Sequence, residues 1–193
     1  MKRLSIALIL SLGAVSPAFA HLNPAEHGSF AAGFSHPLFG ADHILAMVGV
    51  GLWAFLVGGC AIWAIPAAFV ATMMLGFAAS LAGIGLPFVE PVIAASVVVL
   101  GLLALVALQV PTPVGMAVVG FFALFHGYAH GGELGEAMSV PFMVGFALAT
   151  VLLHAAGVGI GFAGNALSHR GRIAARIAGG VTALGGLWLV TGA

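Results

Sequence analysis

The sequence predicts an all-α fold, a polytopic membrane helix bundle of six transmembrane helices that follows a cleaved signal peptide. Three observations lead there. Only five basic and five acidic side chains occur in 193 residues, whereas a water-soluble domain is about one quarter charged. Hydrophobic residues make up 62% of the chain, and its mean hydropathy is +1.23. The 29 glycines beside only 9% aromatic residues suit closely packed membrane helices better than an outer-membrane barrel, with its alternating polar interior and aromatic girdles.

The elements follow in order. Lys2 and Arg3 precede the apolar run 4–14, which Ser16, Pro17 and the small-x-small end Ala18-Phe19-Ala20 close, the layout of a secretory signal peptide. Residues 1–20 are therefore assigned to the signal peptide and 21–193 to one transmembrane domain beginning at His21. Apolar stretches between Pro and Gly breaks then place helices at about 42–57, 61–84, 89–109, 114–127, 141–163 and 173–190, with lengths near the ~20 residues a span requires. The link before the last helix carries Arg170, Arg172 and Arg176, whereas the link after the fourth carries Glu133 and Glu136 and no base. The arginine-bearing loop is expected in the cytoplasm and both mature termini outside, where a signal peptide would deliver His21. Small residues at helical spacing, Gly76/Ser80, Gly157/Gly161 and Gly179/Ala183, mark close helix contacts.

This composition also bounds function. Balanced charge removes the basic footprint of nucleic-acid binding, leaving the lipid bilayer as the surrounding medium. A single cysteine, Cys60, excludes an internal disulfide framework or a thiolate cluster and reads as a packing residue. Eight histidines among so few polar residues stand out.

Two constellations carry chemistry. His36-Pro37-Leu38-Phe39-Gly40-Ala41-Asp42-His43 lies at the outer entrance of the first mature helix, with Pro37 and Gly40 shaping a turn. Asp42 reads equally as a helix N-cap, and Met47, four residues after His43, as a soft ligand or a packing filler. Phe125-His126-Gly127-Tyr128-Ala129-His130-Gly131-Gly132-Glu133 lies at the outer end of the fourth helix. His126, His130 and Glu133 share a stripe if the helix continues, and Gly131-Gly132 lets Glu133 fold back if it does not. The candidate metal ligands are thus His36, Asp42, His43, His126, His130 and Glu133. Imidazole and carboxylate without thiolate suit nickel, cobalt, zinc or copper(II), and intramembrane ionisable groups mark ion pathways.

Secondary candidates along a pathway are His21, His27 with Glu26 in the exterior tail, Met47, Glu90 and His154. Glu90 either joins the site or complements its helix N-terminus. His154, ~22 Å along the fifth helix from Ser139, is either an inward relay or a buried structural hydrogen bond. His169, in the arginine loop, reads as solvated. No G-x-x-x-x-G-K-[ST] loop occurs, so transport would be secondary or facilitated.

At these residues the chain resembles the HupE/UreJ family, small membrane proteins encoded with nickel-dependent hydrogenases and ureases. The resemblance covers the mature chain: six helices, the His-Pro-x-x-Gly-x-Asp-His stretch at 36–43 running on to Met47 and Gly51-Leu52-Trp53-Ala54, and Phe-His-Gly-x-Ala-His-Gly-x-Glu at 125–133. It implies a permease and no enzyme, moving nickel across the bacterial inner membrane into the cytoplasm. No cofactor would be permanently bound, and the functional partners would be nickel-enzyme maturation proteins. It also implies that His36, Asp42, His43, His126, His130 and Glu133 are required. Rival classes are an intramembrane metal-dependent hydrolase with Glu133 as general base, a non-transporting metal sensor or accessory protein, and a haem anchor.

Overall fold

The computed structural model describes residues 28–135, 137–163 and 169–191. The signal-peptide segment, His21, Glu26, His27 and Glu136 lie outside the described residues, as does the side chain of His169. The described residues form seven helices: α1 (Ser29–Phe39), α2 (Ala41–Val57), α3 (Ala61–Leu81), α4 (Val89–Val106), α5 (Thr112–Gly132), α6 (Ser139–Ala163) and α7 (His169–Thr191). Five are long and apolar enough to cross a membrane. The count reaches six if α1 and α2, bent by 78° at their junction, form one broken span.

The sequence missed α1. Residues 36–41, expected as an entrance turn, instead end one helix and begin another, with Gly40 as the extended joint (φ −83°, ψ 117°). Pro37 is tolerated near the end of α1, where the His36 carbonyl still accepts from the Gly40 amide at 3.3 Å. Ser29 Oγ accepts from the Met138 amide at 2.8 Å and ties the start of α1 to the start of α6.

Other boundaries shift for identifiable reasons. α3 stops at Leu81 because Gly83 takes φ +71° and the Ile84 amide turns back to the Ala79 carbonyl. α4 stops at Val106, short of the expected 109, in a Schellman-type closure in which the Leu108 amide bonds the Leu103 carbonyl. The left-handed position there is Ala107 rather than glycine, so no sequence signal announced it. α5 runs past the expected 127 to Gly132.

Helix α2 sits at the centre, with Ala46, Met47, Val50, Leu52, Trp53, Ala54 and Leu56 fully buried among its neighbours. Around it, α3 packs chiefly on α5, α4 on α7, and α6 on α1 and α2. Each of these interfaces is built on glycine. A side chain at Gly51 would run into the His154 carbonyl, and one at Gly157 into the Val48 carbonyl, so α2 and α6 meet backbone to backbone. Gly76 against Leu124 and Gly127 against Met73 do the same for α3 and α5, Gly33 against Phe142 and Gly145 against Phe30 for α1 and α6, and Gly101 against Ala183 for α4 and α7. Without a hydrophobic driving force inside lipid, this close approach is how membrane helices gain dispersion energy. Large side chains such as Trp63, Leu75, Phe121, Leu152, Leu184 and Trp188 point outward, as a lipid-facing belt requires.

The two ends of the bundle differ. At one end Arg172 Nη1 donates to the Leu56 carbonyl (3.4 Å) and Arg176 Nε to the Leu105 carbonyl (2.8 Å), satisfying and complementing the C-termini of α2 and α4. Trp53 Nε1 and Gln109 Nε2, at 2.9 Å each, satisfy the Leu108 and Leu56 carbonyls nearby. Cys60, expected to pack, is instead exposed at this end, its thiol 3.5 Å from Thr112 Oγ1. His36, His43, His126 and His130 gather at the opposite end.

Candidate metal centre

Three helices deliver the histidines. His36 comes from the last turn of α1, Asp42 and His43 from the first turn of α2, and His126 and His130 from the last two turns of α5. Because α5 continues to Gly132, the helical alternative for this motif holds, and Glu133 stands just beyond its end. The joint at Gly40 turns α1 back so that His36 meets His43, although only seven residues separate them.

One potential ligand nitrogen from each of His36, His43 and His130 falls within 4.8 Å of the others, and all three residues are buried. Their ring centroids lie 4.4 Å (His36–His130), 4.6 Å (His43–His130) and 5.6 Å (His36–His43) apart. Phe146 packs against all three.

The hydrogen bonds fix how these rings are used. Asp42 Oδ1 lies 2.9 Å from His43 Nδ1, and Glu133 Oε2 lies 3.1 Å from His130 Nδ1. A carboxylate only accepts, so each Nδ1 carries the proton and each Nε2 keeps its lone pair. Those two Nε2 atoms face one another at 2.5 Å. Two opposed lone pairs repel unless they share a proton or a metal ion. The arrangement is the carboxylate–histidine–metal pattern, in which the acid sets tautomer, orientation and basicity.

His126 is fully buried one turn below His130, its ring 5.4 Å from that of His43. Ser96 Oγ spends its only proton on the Ile93 carbonyl (2.6 Å), so its 2.9 Å contact with His126 Nε2 makes that nitrogen the donor. The lone pair is then on Nδ1, which has no hydrogen-bond partner among the described residues. A lone pair buried without a donor is the state of a nitrogen suited to a cation.

Above the group lies a cavity of about 210 Å³ bordered by His36, Asp42, His43, Glu90, His130 and Glu133. It presents imidazole inside and carboxylates at the mouth, room enough for an ion that still holds part of its water shell.

The structure thus brings His36, His43, His126 and His130 together, with Asp42 and Glu133 behind two of the imidazoles. The N-cap reading of Asp42 fails: Gly40 caps α2 with no side-chain bond, and Asp42 holds His43 instead. Glu90 borders the cavity from the first turn of α4. Met47 is fully buried in the apolar core one turn below His43. His154 is elsewhere, near the middle of α6 against Phe69, and makes no structural hydrogen bond among the described residues. Sequence reasoning missed Ser96 and Phe146. Ser96 could have been flagged as the lone hydroxyl in an otherwise apolar span, whereas nothing in the sequence singled out Phe146.

Comparison with known proteins adds a family. The family model described as "HupE / UreJ protein" matches residues 8–189. A protein of Rhizobium leguminosarum bv. viciae named Protein HupE is 45% identical over 185 residues, 95% of each chain. No solved structure matches the chain.

Proposed function

The chain belongs to the HupE/UreJ family, and from that premise we propose that it is a nickel permease of the bacterial inner membrane, moving the ion inward to supply hydrogenase or urease maturation. The observation that carries this reading is the pair of opposed imidazole lone pairs on His43 and His130, each ring braced by a carboxylate, with His36 completing a three-nitrogen group.

Several features support transport over retention. Three neutral imidazoles compensate an ion less fully than thiolates would, and they suit nickel, cobalt, copper(II) and zinc. The cavity is open at its acidic mouth, so ions can exchange with solvent. Asp42, Glu90 and Glu133 line that mouth and favour capture of a dication. With Arg172 and Arg176 at the other end, the positive-inside rule sets that end in the cytoplasm and the histidine cluster outside. His21 and His27, at the start of the mature chain, would gather ions on the same outer side.

Uptake of radioactive nickel by proteoliposomes holding the purified protein tests this directly. Saturable entry, competed by cobalt and abolished in His43→Ala and His130→Ala, is expected. Nickel that binds but never reaches the lumen would move the reading to a sensor or accessory protein.

A further inference from the structure

Below the outer cluster a further histidine is buried. His154 is 2% exposed, and neither of its ring nitrogens has a hydrogen-bond partner among the described residues. Native structures pair nearly all such atoms, and an orphaned imidazole in a membrane bundle points to a ligand. The fold places it one layer deeper than His126. Thr150 Oγ1 contacts Met73 Sδ at 3.7 Å, and the Met73 backbone lies against Gly127, so Met73, Thr150 and the neighbour of His126 share a level. Helix α3 runs toward the cluster end and α6 away from it. Phe69, four residues before Met73, and His154, four after Thr150, therefore both lie one turn, ~6 Å, farther inward.

Phe69 packs against both histidines. Its ring is fully buried, 5.8 Å from the ring of His126 and 5.0 Å from that of His154. The path from His126 to His154 thus runs past this apolar ring. Phe69 belongs to the α3–α5 pair and His154 to the α1–α2–α6 group, and the seam between α3 and α6 is thinly packed. A cavity of about 690 Å³ opens along that seam beside His154, between Pro66 and Val70 on one side and Val151, Ala155 and Val158 on the other.

We propose that His154 is a second, inner ligand for the same divalent cation, reached from the outer cluster when the Phe69 ring swings aside. The function assigned to His154 and Phe69 rests on the transport reading above. Binding at His154 can be measured apart from it. Ion transfer between two stations separated by an apolar ring gives stepwise passage without an open water channel.

The test uses the full chain in detergent for nickel stoichiometry and in proteoliposomes for flux. His154→Phe matches the shape and removes the unpaired nitrogens, so it should fold at least as well as the parent. We expect it to keep outer-site nickel affinity within twofold while uptake falls at least tenfold. A folded His154→Phe protein that carries nickel at the parental rate would overturn the proposal. Phe69→Ala should admit a second nickel per chain, and the Phe69→Ala/His154→Phe pair should return to one. A second nickel that persists in the pair would also overturn it. If the parent protein binds nickel yet never moves it, the transport reading fails, while the stoichiometry still decides whether His154 is a ligand.

Discussion

Replacing Asp42 by Asn isolates what the carboxylate does for His43. The amide keeps the size and can still accept from Nδ1, 2.9 Å away, so the fold and tautomer survive and only the charge is lost. Outer partners of this kind alter metal affinity by about 10–100-fold. The Asp42 side chain is 36% exposed against 6% for His43, so water screens part of its charge, placing the expected loss near tenfold, about 1.4 kcal/mol. Asp42→Ala also frees the tautomer and should fall toward the hundredfold end. Glu133, 51% exposed, should lose less on becoming Gln than Asp42 does on becoming Asn. Titration calorimetry with nickel on the purified proteins reads all three. Parental affinity in Asp42→Asn would refute the bracing role, and a loss far beyond that range would mean the carboxylate ligates the ion itself.

Other expectations concern packing, a buried donor and protons. Gly127→Ala drives a methyl group into the Met73 backbone and should destabilise by about 1–3 kcal/mol or more, whereas Gly159→Ala meets nothing within 4 Å and should be neutral or stabilising; thermal unfolding in detergent compares them. Trp53→Phe removes the 2.9 Å bond to the Leu108 carbonyl in a fully buried position and should cost about 1–3 kcal/mol by the same measurement. Nickel binds neutral imidazole, so protons compete with the ion and affinity should fall at acidic pH. A pH-independent affinity between about 8 and 5 would argue against imidazole ligation.

Much of this was legible in the sequence because membrane spans announce themselves by apolar length. The stretches at 61–84, 89–109 and 141–163 match α3, α4 and α6 to within a few residues. The small-residue pairs partly revealed the contacts: Gly76 and Gly157 meet neighbouring backbones, while Gly161 meets the ring of Phe55. Helix α1 stayed hidden because its 11 residues are too few to span and contain Ser29, Gly33, Ser35 and Pro37, which read as a loop. Its burial comes from α6, a contact invisible in local pattern.

The candidate site divides similarly. Helical spacing placed His126 and His130 on one face, and the fold brought His43 to meet them. What the spacing could not show is the division of labour: Asp42 and Glu133, candidate ligands by type, stand behind His43 and His130 at their Nδ1 atoms. Ser96 and Phe69 enter only through contacts between helices remote in sequence.

The central claim, that His36, His43 and His130 jointly hold the transported ion, is tested most directly by nickel K-edge X-ray absorption on the purified protein loaded with one equivalent of nickel. Scattering from about three imidazoles is expected, falling by one in each of His36→Ala, His43→Ala and His130→Ala. A shell of oxygen ligands without imidazole scattering, unchanged in the three variants, would contradict it.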